Sequence, residues 1–317
     1  MSSYRIFDLC LKSMLPLAEL PQQGGEADLT FELVTERATT LPRPNWTHQW
    51  RLPNGQVTLA HAREADNHRL SFPRLADFQI SADGRKIRCL RCPGVAESSI
   101  RHLLLDQVLP RIVSHFRHSV LHASAVRLPT GVVAFLGNTG WGKSTLGLSF
   151  EKGGHTLLGD DALLVDSRGR PPTVVASYPG CRLWDDSLGA LGEAQEALEV
   201  SHYSTKRRVV PSQDDMSRWP QPEHLQAVFL LNDPTKGEGQ REVEVEGVRG
   251  VRAVMALVEH CFHLDVKDRR RMASQFDELS SLVSSSCRFY HLRYPRDHQR
   301  LHEVHAAIVE AARTPPT

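Results

Sequence analysis

The stretch that most constrains this chain runs from Val132 to Leu146, VVAFLGNTGWGKSTL. An apolar run suited to a buried strand passes into a loop with glycines at 137, 140 and 142, and then into a helix-forming segment that opens at Lys143. Gly137, Gly142, Lys143 and Ser144 fill the pattern G-x-x-x-x-G-K-[ST], in the strand, loop and helix setting that the pattern requires. Glycines let such a loop turn its N–H groups towards phosphate oxygens, and the helix start adds the positive end of its dipole. The expected binding residues are therefore Gly137, Asn138, Thr139, Gly140, Trp141, Gly142, Lys143, Ser144 and Thr145. Their ligand would be a nucleoside triphosphate, with Lys143 on the β- and γ-phosphates and the Ser144 hydroxyl on Mg²⁺. The plain alternative is a Gly-rich turn before an ordinary helix.

Length allows two modest domains or one large one across 317 residues. With 38 basic and 37 acidic residues, the chain carries no electrostatic commitment to nucleic acid or to a membrane surface. Its start, MSSYRIFDLCLKSMLPL, lacks the features of a signal peptide, and no run of 18 apolar residues occurs. The expectation is a soluble cytoplasmic protein with neither nucleic acid nor membrane as partner. Cysteines lie scattered at 10, 89, 92, 181, 261 and 287. Cys89 and Cys92 form a lone C-x-x-C in a strand-like run without a second pair at zinc spacing, which predicts free structural thiols in a reducing compartment.

Residues 4 to 95 read as short strands separated by Pro-Asn-Gly (53 to 55) and Ala-Asp-Gly (82 to 84) turns. This predicts a small antiparallel accessory domain over 1–97, followed by a larger α/β domain over 98–317. Apolar residues at 100, 103, 104, 108, 112 and 116 predict a helix joining the two. The helix opened by Lys143 should end near Lys152, at Gly153-Gly154.

Next comes HTLLGDDALLVD, an apolar strand interrupted by Asp160 and Asp161. Adjacent carboxylates in such a setting need a metal, a cation or solvent. Phosphoryl transfer to a hydroxyl needs Mg²⁺ held against the phosphates and an acceptor for the attacking proton. A strand end or bulge here would let one carboxylate serve the metal and the other the acceptor. A solvated turn and an ATPase-type metal-binding strand are the alternatives. His122, read alone as a histidine in an apolar strand, fits a hydrogen-bonded core residue.

A His-bearing strand, a GxxxxGKS loop and G-H-x-L-x-x-D-D after the helix together resemble the catalytic domain of HPr kinase/phosphorylase and its bacterial relatives, which include peptide-tailoring kinases. The likeness rests on His122, Gly137 to Thr145 and His155 to Asp161, with 15 residues from His122 to Gly137 and 18 from Lys143 to Asp161. It implies a P-loop, HPr-kinase-like (PEP-carboxykinase-like) α/β catalytic domain beside the smaller β-rich one. It also implies a Mg-ATP-dependent serine kinase. In that reading Asp161 takes the acceptor proton, Asp160 lies on the metal side with Ser144, Lys143 holds phosphate and His122 lies near the transferred group.

The family's downstream Glu before Arg-Gly has no counterpart in Ser177-Tyr178-Pro179-Gly180-Cys181-Arg182, leaving Asp185 or Asp186 to replace it. Arg182, between a Pro-Gly turn and Trp184, is a further candidate for a phosphate. Lys206-Arg207-Arg208 reads as a solvated loop or as a cluster that neutralises charge on the transferred group or receives an acidic substrate, and Arg269-Arg270-Arg271 as an exposed helix start. The expected acceptor is a Ser or Thr hydroxyl on a peptide or small protein other than HPr. A small-molecule hydroxyl kinase and a non-catalytic, nucleotide-gated binding module stay open, as does homo-oligomerisation.

Overall fold

The computed structural model describes residues 1–34, 44–178, 181–183, 198–201, 204–209, 221–236 and 240–313. Of 181–183, 198–201 and 204–209 only the backbone is described.

The first sheet holds β1 (Ser2–Ile6), β2 (Leu9–Ser13), β3 (Leu29–Val34), β4 (His48–Arg51), β5 (Val57–Glu64), β6 (Asn67–Phe72), β7 (Ala76–Ile80) and β8 (Lys86–Arg91). Alternation sets its faces: Ala76, Phe78 and Ile80 are buried while Asp77 and Gln79 between them are not. Gly55 and Gly84 take the left-handed conformation in the two expected turns, at φ 83° and 72°. The order is β1-β2-β3-β8-β7-β6-β5-β4. It departs from a purely antiparallel sheet, because β3 runs parallel to both β2 and β8. Residues 14–28 carry the chain back before β3 enters, so β3 points the same way as β2.

The joining helix has three parts: α1 (Glu97–Leu103), a π-helical turn at Leu104–Val108, and α2 (Leu109–Phe116). Pro110 sits in the first turn of α2 and has no N–H to continue the ladder, so the helix widens just before it. Its apolar stripe packs with Phe31 and Phe78 of the first sheet and with Phe7 in the turn between β1 and β2. Val120, Leu164, Val175 and Phe262 join the same core, which is therefore continuous across position 97.

The second sheet holds β9 (Val120–Leu121), β10 (Ala123–Leu128), β11 (Gly131–Leu136), β12 (Thr156–Gly159), β13 (Leu163–Asp166) and β14 (Thr173–Ala176). A three-stranded sheet of β15 (Cys181–Leu183), β16 (Leu198–Ser201) and β17 (Ser204–Val209) follows. Then β18 (Glu223–Leu231), β19 (Glu244–Gly247) and β20 (Arg288–Arg293) complete the second sheet, in the order β12-β10-β11-β18-β14-β13-β9 with β20 also on β18 and β19 on β20. The strands β11, β18 and β20 are parallel at its centre. Helices α3 (Lys143–Lys152) and α6 (Leu301–Arg313) cover one face; α4 (Val251–Glu259) and α5 (Arg269–Val283) cover the other. The fold is thus mixed α/β with two large sheets.

The two ends of this sheet are tied together twice. His122 alone separates β9 from β10, and residues 160–162 separate β12 from β13. Leu121 pairs with Leu163 and Ala125 with Gly159, so these two short connections lie opposite each other at the seam.

Arg269 and Arg270 are exposed, as a solvated helix start should be, but Arg271 is not. Its guanidinium donates to the Ser114 carbonyl at 2.6 and 2.8 Å and to Glu278 at 2.7 Å, tying α5 to the end of α2. Burial pushes the Glu278 carboxyl up, but Arg271 and Ser119 outweigh it and hold it below the ordinary value. A lowered folded value gives stability that is present above about pH 4.3 and lost as pH falls through the folded pKa. Arg271→Ala should therefore be less stable than wild type at pH 7, with the difference narrowing below about pH 4 in urea unfolding.

Candidate functional site

The G-x-x-x-x-G-K-S motif occupies the turn between β11 and α3. Gly140 and Gly142 stand at φ 85° and 92°, in the left-handed region that glycine enters without strain. A Cβ on Gly142 would lie 2.8 Å from the Tyr294 hydroxyl and 2.9 Å from Arg296 Nη1. At Gly140 no described atom lies within 4 Å of that point, so this side of the loop is open. Gly142→Ala is expected to cost ~1–2 kcal/mol from backbone strain, with more from the collision, measured by urea denaturation.

Lys143 is 6% exposed. Its ammonium folds back across the loop and donates to the Gly137 carbonyl at 2.6 Å and the Asn138 carbonyl at 3.3 Å. Trp141 closes the turn, its N–H donating to the Asn138 carbonyl at 3.1 Å. Arg296 braces the loop from outside, with Nη1 donating to the Trp141 carbonyl at 2.7 Å and Nη2 to the Asn232 carbonyl, just past β18, at 2.8 Å. Ser144 and Thr145, both half-buried, lie in the first turn of α3. Behind them Gly147 lets the helix rest directly on Ser124 of β10, and Gly154 at φ 87° ends the α-helical run as expected.

Asp160 and Asp161 are not inside a strand. They form a bend after β12 ends at Gly159, where a Cβ would meet the Ala176 side chain at 2.8 Å and the Tyr178 carbonyl at 2.9 Å. Pressed against that neighbour, the chain breaks away from β10 and crosses to β9. Both carboxylates are buried, Asp160 to 1% exposure and Asp161 to 5%. Asp161 takes φ 79°, a conformation uncommon for a residue other than glycine and commoner for Asp and Asn than for most. The cost of holding it is on the order of 1–2 kcal/mol.

The seam places His122 opposite this bend, with its Nε2 at 3.6 Å from Asp161 Oδ1. One third of the His122 side chain is exposed, so it is not the enclosed core histidine that its strand setting suggests. Residues 260–262 run beside it: the His122 N–H donates to the His260 carbonyl at 2.7 Å, and the Phe262 ring lies 5.8 Å from the His122 ring. The His260 imidazole is pushed down to about 4, by burial first and then by the charges of Lys143 and His122. Lys143 and His122 are thus both near enough to His260 for their charges to act on it, and His122 faces Asp161; the four come from the start of α3, the β9/β10 break, the end of α4 and the β12/β13 bend.

His260 and Arg296 carry little signal in the sequence. The first is hidden in the apolar periodicity of VRAVMALVEHCF; the second follows a strand in Tyr-Pro-Arg. The backbones of Arg182 and Arg208 pair across β15 and β17, while Asp185 and Asp186 lie outside the described residues. Burial raises the thiol pKa of Cys89 and of Cys92, as for unreactive structural cysteines. No helix among the described residues is long and apolar enough to cross a membrane.

No protein-family model and no curated protein matches the chain. Among solved structures, the HPr(Ser) kinase/phosphatase from Coxiella burnetii is similar over 60% of this chain and 97% of that one, at 11% identity and a TM-score of 0.32.

Proposed function

We propose that this chain is a Mg-ATP-dependent kinase that transfers the γ-phosphoryl group to a Ser or Thr hydroxyl of a peptide or small protein. The observation that carries the reading is the grouping of a buried carboxylate in a strained bend, Asp161, with His122, His260 and the loop lysine Lys143. Strain retained beside buried charge is characteristic of catalytic positions. The unit would be an HPr-kinase-like P-loop domain over 98–317, with 1–97 as accessory.

The loop suits a triphosphate: its glycines hold left-handed turns, one side is open at Gly140, and Lys143 lies across it at a helix N-terminus. For Mg²⁺ the Ser144 hydroxyl and the Asp160 carboxylate supply oxygen donors of the kind that hard cations take, and the ion would add positive charge against the phosphates. Lys143 binds and orients the phosphates, exchanging the Gly137 and Asn138 carbonyls for phosphate oxygens. Asp161 takes the acceptor's proton as the hydroxyl oxygen bonds to the γ-phosphorus and the bond to the β-γ bridging oxygen breaks, releasing ADP. His122 steadies Asp161 from 3.6 Å. His260, nearly all neutral at pH 7, adds no second cation beside Lys143.

Incubation with Mg-ATP and a pool of Ser- and Thr-containing peptides beside a pool of small hydroxy compounds tests the reading. Phosphoserine or phosphothreonine detected by mass spectrometry is the expected product. Label in small molecules alone would move the acceptor class, and bound ATP without turnover would leave a nucleotide-gated module instead.

A further inference from the structure

A second cluster stands where β5 and β6 of the first sheet meet the segment between α4 and α5. His61 on β5 and His68 on β6 are diagonal neighbours on one face, since His61 pairs with Leu70 and Arg63 with His68. Asp265, from the segment between α4 and α5, meets them from the other side. All three are at most 3% exposed. Each offers one donor atom, and these atoms lie within 4.8 Å of one another.

We propose that His61, His68 and Asp265 bind a zinc-type divalent cation that ties the N-terminal sheet to the segment carrying His260. The nearest pair, His61 Nε2 and His68 Nδ1, is 3.0 Å apart. Two nitrogens at 2.0–2.1 Å from one tetrahedral ion stand about 3.3 Å apart, so little movement is needed. The His61 Nδ1 atom is buried with no hydrogen-bond partner among the described residues, and it faces Asp265 Oδ1 at 3.9 Å. An ion held by His61 Nε2 and His68 Nδ1 leaves the protonated His61 Nδ1 to face Asp265, whose carboxylate offers an oxygen within 4.8 Å of the histidine donor atoms and gains a positive charge beside it. Two imidazoles and one carboxylate select zinc-like metals over Mg²⁺, which takes oxygen donors, so this ion is distinct from the one at Ser144 and Asp160.

Outer contacts already orient the carboxylate: the Lys267 N–H donates to Oδ1 at 2.9 Å, and Arg63 lies 4.0 Å from Oδ2. His115, its ring centroid 5.3 Å from that of His68, and His48, paired with His61 across β4 and β5, are further imidazoles for a fourth position, with water as the other choice. Asp265 follows Phe262 and His260 closely in the chain, so an ion here would fix the strand-like segment that lines His122.

Full-length protein stripped with EDTA is dialysed against Zn²⁺, and bound metal is counted by elemental analysis. One equivalent per chain is expected, weakened at least ~100-fold by Asp265→Asn and by His68→Gln and unchanged by Lys143→Ala or Cys92→Ser. X-ray absorption of the zinc-loaded wild type needs no variant and should show a nitrogen and oxygen shell with two imidazoles. Less than one equivalent on wild type, full affinity in folded Asp265→Asn, or a sulfur ligand in the spectrum would each overturn the proposal.

Discussion

Asp161→Asn is expected to slow phosphoryl transfer by ~10²–10⁴-fold, the usual range for loss of a general base, while ATP affinity stays at the wild-type level. Asn is the informative replacement for a structural reason. At φ 79° most side chains would add strain of their own, whereas Asn tolerates this region about as well as Asp and has nearly its volume. The bend between β12 and β13 should therefore survive, together with the 3.6 Å approach of His122. What is lost is the capacity to accept a proton. Asp161→Ala confounds that loss with a backbone cost of ~1–2 kcal/mol. Single-turnover transfer, read beside equilibrium nucleotide binding, separates the two.

Lys143→Ala should reduce transfer by at least ~10²–10³-fold, because in the proposed reaction that ammonium supplies the loop's charge on the phosphates. A second readout is independent of any acceptor. His260 is held near 4 by burial first and by Lys143 and His122 after it. Deleting the ammonium removes one of the cations that disfavour its protonation, so its pKa should rise, remaining below the ordinary 6.5 because burial persists. Histidine ring NMR across a pH titration reports this directly. An unmoved His260 would mean that Lys143 and the His122 group do not share one electrostatic site.

The loop was legible in the sequence because its signals are local. Three glycines, a lysine and a serine at fixed spacing demand a tight turn before a helix, and α3 ends at Lys152, where Gly153-Gly154 predicted it. The front strands were legible by alternation, but their pairing was not. Nothing within LTFELV states that it will lie parallel between β2 and β8. The acidic pair read as an interrupted strand because its flanks are apolar, and the left-handed turn at Asp161 lacks the glycine that usually announces one. His260, Arg296 and Asp265 gain their meaning only from segments distant in the chain, which no short-range pattern records. His122 looked like a core residue because its neighbours are apolar; the β9/β10 break turns it towards the seam.

In the proposed reaction Asp161 and Lys143 serve one phosphoryl-transfer site. Its most direct test is γ-³²P transfer from Mg-ATP to a Ser- or Thr-bearing peptide acceptor by wild type, Lys143→Ala and Asp161→Asn in parallel, with bound nucleotide measured in the same samples. Labelled peptide is expected from wild type only, with nucleotide still bound by Asp161→Asn. Transfer by Asp161→Asn at the wild-type rate, or none by nucleotide-loaded wild type on any hydroxyl acceptor, would contradict it.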